Sequence, residues 1–271
     1  MYQINDQCYN FKEINFEKGI FDDSIDSTYI LHLRGNGRLE NVYSQLNNII
    51  PSKKVFILFN KGFKKCQKNK NIRETWKDLI EANYKIFLHA KEHNYNNILI
   101  LEDDFIFDEE IKKVNNQLNI TKFINKKKDK SFIYSIGCLP LISIPLYYDR
   151  NTYYAPYFVS MHSCIFSKKY REKILNIGLK EIYEKELGWD VNLNLSCYMY
   201  RRPLCYQKVE ETENKKTWDN WFINVIIQRL RLDSNPDYGF KIINKLSKLL
   251  FWLIIVMILF IILEKYKSFR S

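Results

Sequence analysis

The chain has no CxxC pair among its six cysteines, no complete dinucleotide fingerprint, no Asp-x-Asp pair and no dense block of basic residues. Each absence removes a class. Without paired cysteines, zinc-site spacing is missing. Cys8, Cys66, Cys138, Cys164, Cys197 and Cys205 therefore read as reduced, half-buried thiols of a cytosol-facing domain. The formal charge of +11 would suit nucleic acid if the lysines clustered, because clustered cations neutralise phosphates. They are scattered instead, with Lys126 to Lys130 broken by Asp129. No dedicated nucleic-acid binding is expected. The opening MYQINDQCYNFKEINFEKG has no basic start followed by an apolar core, so no secretory signal is expected either.

What is present is an apolar core and a sharp acidic stop. With 46% hydrophobic residues in 271, the chain can bury a substantial core. Ile98 to Phe107 reads ILILEDDFIF, an aliphatic run closed by three carboxylates. Such a run is a buried, parallel-type strand whose tip carries Glu102, Asp103 and Asp104. Ligands bind beyond the carboxyl ends of strands in open α/β sheets. Hard oxygen donors there suit Mg²⁺ or Mn²⁺.

The flanking order is strand, helix, strand, helix, strand: Thr28 to Leu33, Leu39 to Ile50, Val55 to Phe59, then a capping-box-like start at Thr75 leading to His93. This predicts right-handed crossovers and a mostly parallel sheet flanked by helices, with Arg34 and Arg38 on the same edge as the carboxylates. Arg34-Gly35-Asn36-Gly37-Arg38 is a turn able to approach a ligand closely. A solvated pair of arginines fits the same pattern. Further on, the three prolines and four tyrosines of CLPLISIPLYYDRNTYYAP exclude a central strand. Tyr157 to Phe166 is strand-like with His162 near its middle, as a core histidine or a ligand. Asp190, beside Trp189, is a general base in a desolvated setting or a helix N-cap.

Leu249 to Leu263, LLFWLIIVMILFIIL, is unbroken by charge and flanked by Lys248 and Lys265. It reads as a transmembrane anchor. The expected organisation is an irregular lead-in over 1–27, a catalytic domain over 28–218, an amphipathic connector over 219–245, an anchor over 246–264 and a basic tail over 265–271. That arrangement makes the lipid bilayer a partner, through a single-pass C-terminal anchor with the domain facing the cytosol.

Taken together, LILEDD at Leu99 to Asp104, YILHL followed by Arg38, SIGCLP at Ser135 to Pro140, His162, GWD at Gly188 to Asp190, PLCYQ and TEN resemble the family 25 glycosyltransferases. That group includes lipooligosaccharide and collagen galactosyltransferases and similar proteins of large DNA viruses. The resemblance spans Tyr29 to Trp218. Where the family's first strand usually ends in Asn-Leu, this one has His32-Leu33. It implies a nucleotide-sugar-binding, GT-A-like fold and a hexosyltransferase that takes a UDP-sugar donor and a glycan or protein acceptor, with inversion. Asp103, Asp104 and His162 are then metal ligands, Arg34, Arg38, Glu102 and Asp103 meet the nucleotide sugar, and Asp190 is the base. The alternatives are an inactive, membrane-tethered binding module of the same fold, or an aspartate-dependent phosphatase or phosphotransferase.

Overall fold

A computed structural model describes residues 4–69, 72–187, 196–208 and 221–270. Three parallel strands form its centre: β2 (Ser27–Leu33), β3 (Lys54–Asn60) and β4 (Asn97–Glu102). β2 lies between the other two, with Leu31 opposite Glu102 and Leu33 opposite Asn60. The intervening helices are α1 (Leu39–Asn48) and α2 (Thr75–Glu92). α1 presents Val42 and Leu46 one turn apart and ends shortly before Pro51. The capping box expected at Thr75 does not form. Glu74 is the cap, and its carboxylate accepts from the Trp76 indole and, at 2.9 Å, from Lys77.

Six further strands extend this centre: β1 (Tyr9–Asn15), β6 (Ile133–Ser135), β8 (Ile144–Leu146), β9 (Asp149–Tyr154), β11 (Ser163–Ser167) and β12 (Cys197–Tyr200). The full sheet then has nine strands in the order β1-β3-β2-β4-β11-β6-β12-β9-β8. Two short pairs lie outside it, β5 (Phe105–Phe107) with β13 (Cys205–Gln207) and β7 (Leu139–Pro140) with β10 (Phe158–Val159). The main sheet is mixed rather than mostly parallel, because β11 enters antiparallel between β4 and β6. The lead-in is not irregular throughout, since β1 is an antiparallel edge strand against β3. Helices α3 (Val114–Lys126), α4 (Lys168–Ile177) and α5 (Leu179–Glu184) complete two covering layers. Tyr29, Leu31, Phe56 and Ile100 pack with Ile86 and Phe87 of α2 and Ile174 of α4. Ile30, Ile57, Leu99 and Leu101 pack with Val42 of α1 and Phe123 of α3. The central strands are therefore buried on both faces, which is why they read as continuous apolar runs.

Pairing of β1 with β3 brings Cys8 beside the 61–69 loop, where it forms a disulfide with Cys66 at a Cα–Cα separation of 5.6 Å. The expectation of six reduced thiols is corrected for these two; Cys138, Cys164, Cys197 and Cys205 are free and buried. Nearby, the buried Lys68 ammonium meets Asp78, the Tyr9 hydroxyl and, at 3.0 Å, Asn60 Oδ1. This ties the loop to the end of β3.

After α6 (Trp221–Arg229), the chain ends in one long helix, α7 (Pro236–Arg270). Its first part packs on the domain: Phe240 is buried, and Ser247 and Ser143 hydroxyls lie 2.7 Å apart. From Leu249 the apolar side chains are largely exposed. The helix is long and apolar enough to cross a membrane.

Candidate functional site

The carboxylates lie where β4 ends, level with the carboxyl ends of β2 and β3. Asp103 turns toward β2. Its Oδ2 accepts from His32 Nδ1 at 2.7 Å, the Leu33 N–H at 3.1 Å and Asn36 Nδ2 at 2.7 Å, while Oδ1 faces Arg38 Nη1 at 3.4 Å. An ionised carboxylate only accepts, so His32 donates from Nδ1. The turn that delivers Asn36 and Arg38 uses Gly35 and Gly37 at φ values of 83° and 77°, where a side chain would be strained. Asn41 of α1 closes the arrangement, donating to the carbonyls of Asp103 and Phe105, both at 3.1 Å.

Asp104 and Glu102 turn the other way and meet at one amide. The antiparallel pairing of β5 with β13 sets Gln207 opposite Phe105. Gln207 Nε2 then donates to Glu102 Oε2 and to both Asp104 oxygens, each at 3.2 Å. Arg38 Nη1 adds 2.8 Å to Asp104 Oδ2. Burial raises the Glu102 carboxyl to about 8, with the Asp104 and Asp103 charges pushing the same way. Burial also lifts Asp104, to about 6, against the opposing pull of Arg38. Among the described residues, Arg38 is the cation whose pull opposes both shifts.

His162 precedes β11 instead of lying inside a strand, because Ser160 takes a left-handed φ of 66° and breaks the Tyr157 to Phe166 run. It reaches the carboxylates only through other residues. Ser160 Oγ donates to Gln207 Oε1 at 2.7 Å and lies 2.9 Å from His162 Nδ1, so the imidazole donates from Nδ1 and the chain of bonds orients the Gln207 amide. His162 Nε2 is buried without a hydrogen-bond partner, and Phe240 of α7 stands edge-on at 5.5 Å. Burial pushes this imidazole down to about 4.

Of the residues singled out from the sequence, Arg38, Glu102, Asp103 and Asp104 come together. Arg34 is exposed, its guanidinium over the Phe59 ring at 5.3 Å, and joins none of them. Asp190 lies outside the described residues. Sequence reasoning missed Asn36, Asn41, Ser160 and Gln207 as contributors. Gln207 carried a signal only as the last letter of PLCYQ.

Among the described residues, no group of three His, Cys, Asp or Glu side chains is disposed to hold a metal ion. Two under-compensated carboxylates do converge, and Mg²⁺ is commonly held by one or two carboxylates, waters and substrate phosphates. In chemical kind, two carboxylates are the oxygen donors that such an ion takes.

No family model matches the chain, and no curated protein matches it. Among solved structures, A197 from STIV is similar at 12% identity, over 69% of this chain and 86% of its own, with a TM-score of 0.37. Mannose-1-phosphate geranyltransferase from Thermus thermophilus is similar at 11% identity, over 64% of this chain and 72% of its own, also at 0.37.

Proposed function

We propose that the protein is a membrane-anchored, divalent-metal-dependent glycosyltransferase of the family 25 type, moving a hexose from a UDP-sugar to a glycan or protein hydroxyl. The observation that carries this reading is the convergence of Glu102 and Asp104 on Gln207 Nε2, at the sheet edge where α/β folds bind ligands. In it, Glu102 and Asp104 hold Mn²⁺ or Mg²⁺. The ion supplies electrostatic stabilisation to the departing diphosphate.

The chain's own groups have separate tasks. Asp103, taken up by His32, Leu33, Asn36 and Arg38, fixes the 34–38 turn against the acidic turn instead of ligating. Arg38 steadies the Asp104 carboxylate and offers a cation toward phosphate. The Ser160 hydroxyl, donating to Gln207 Oε1, holds the amide nitrogen between the two carboxylates. Asp190 remains the proposed base for the acceptor hydroxyl in an inverting transfer.

That same amide favours a second reading. Gln207 already occupies the position between the carboxylates, as a transferase fold retained for binding alone would have it. A donor screen separates the two. The full chain in detergent is incubated with UDP-glucose, UDP-galactose and UDP-N-acetylglucosamine, with and without Mn²⁺. Metal-dependent release of UDP, lost in Asp104→Asn while the fold is retained, supports the enzyme. UDP binding without turnover of any donor supports the binding module.

A further inference from the structure

Beside the place where α7 leaves the domain lies a cavity of about 380 Å³, apart from the carboxylate site. It is lined by the start of α3, from Lys113 to Asn116, by Glu110, and by the Arg201–Arg202 turn that follows β12. Three cations thus face one carboxylate. Glu110 serves both Arg202, at 2.6 Å, and Lys113. Arg201 is held by its backbone, its N–H donating to the Asn151 carbonyl at 2.8 Å. Its Nε is buried with no hydrogen-bond partner. Arg201 and Arg202 both line the cavity and with Lys113 outnumber the one carboxylate there, so the lining carries a net positive charge that suits an anion. α3 also starts here, with no side-chain cap from Lys113, and its N-terminal end carries partial positive charge.

The height of the cavity identifies the source of that anion. The Lys248 ammonium donates to the Arg201 carbonyl, and Lys248 is the last residue before the apolar run that begins at Leu249. The Arg201–Arg202 turn is therefore level with the end of the apolar segment, where phosphates of a bilayer lie. Val114 on the cavity wall is 63% exposed, an apolar neighbour that suits glycerol and acyl carbons.

We infer that this cavity binds the phosphate of an anionic phospholipid headgroup, held by Arg201, Arg202, Lys113 and the start of α3. The inference rests on α7 crossing a membrane and is independent of the transferase reading. It is tested on the full chain in a neutral detergent, by thermal unfolding titrated with dioctanoyl phosphatidic acid, dioctanoyl phosphatidylcholine or inorganic phosphate. Phosphatidic acid should raise Tm saturably. Phosphatidylcholine should not, and inorganic phosphate should need at least tenfold more. Arg201→Gln should weaken the phosphatidic acid response at least tenfold, with Arg202→Gln and Lys113→Gln as independent variants should the first not fold. Lys180→Gln, on the distant α5 surface, should leave it unchanged. Equal responses to both lipids would overturn the inference, as would no response at all. So would a phosphate response matching that of the lipid, or full retention in the Arg201, Arg202 and Lys113 variants.

Discussion

Replacing Glu102 by Gln should stabilise the metal-free protein at pH 8 while removing its response to a divalent ion. The carboxyl is raised from an ordinary 4.5 to about 8 by burial and by its acidic neighbours. Between those values the folded chain keeps a proton that the unfolded chain releases. The stability conferred is complete below about pH 4.5 and is lost as pH rises through 8. At about 1.4 kcal/mol per unit the ceiling is about 5 kcal/mol, but Asp104 shares the repulsion, so Glu102 alone accounts for something on the order of 2 kcal/mol. Glutamine keeps an acceptor for Gln207 Nε2 and sheds the charge. At roughly 2 to 4 °C per kcal/mol for a domain of this size, Tm should rise by about 4 to 8 °C at pH 8. At pH 5 the gain should nearly vanish. Scanning fluorimetry of both proteins from pH 5 to 9, with and without Mn²⁺, reads all of this. A gain independent of pH, a loss at pH 8, or an undiminished Mn²⁺ shift in the variant would refute the reasoning.

Asp103→Ala should cost about 2 to 4 kcal/mol in urea unfolding, because His32, the Leu33 N–H, Asn36 and Arg38 lose their shared acceptor; a cost under about 0.5 kcal/mol would show that the turn holds without it. Cys8→Ser opens a link between residues 58 apart, worth about 4 kcal/mol in the chain-entropy account. Maleimide labelling of the unreduced, denatured chain should add four groups, matching the four free cysteines, and six would exclude the bond. Because such bonds persist in oxidising compartments, four would also argue against the cytosolic placement expected from the sequence. His162, held neutral with its imidazole pushed from 6.5 down to about 4, should make stability fall as pH drops through that interval, since only the unfolded chain takes up the proton. His162→Gln should flatten that limb of the Tm profile, and an unchanged slope would count against it.

The central strands and first two helices were legible because burial on both faces leaves an unbroken apolar run, and a helix buried on one side leaves a spaced one. β1 was not, since YNFKEIN buries one side of an edge strand and its pairing with β3 is long-range. Nothing in YFVSMHSCIF marks Ser160 as left-handed, so His162 looked like a strand residue. The acidic triplet was visible at once as a site, yet its division of labour was only half written there. At the two-residue turn between β4 and β5, Glu102 and Asp104 reach Gln207 while Asp103 faces β2. Which side carries the donors depends on register: Leu31 opposite Glu102 brings His32 and the Leu33 N–H onto Asp103, across 71 and 70 residues of chain. The carboxylate that looked most central to the motif is consequently the one the fold has saturated. Among the described residues, the pair on either side of it meets one amide and one guanidinium, and that is where a cation would gain most.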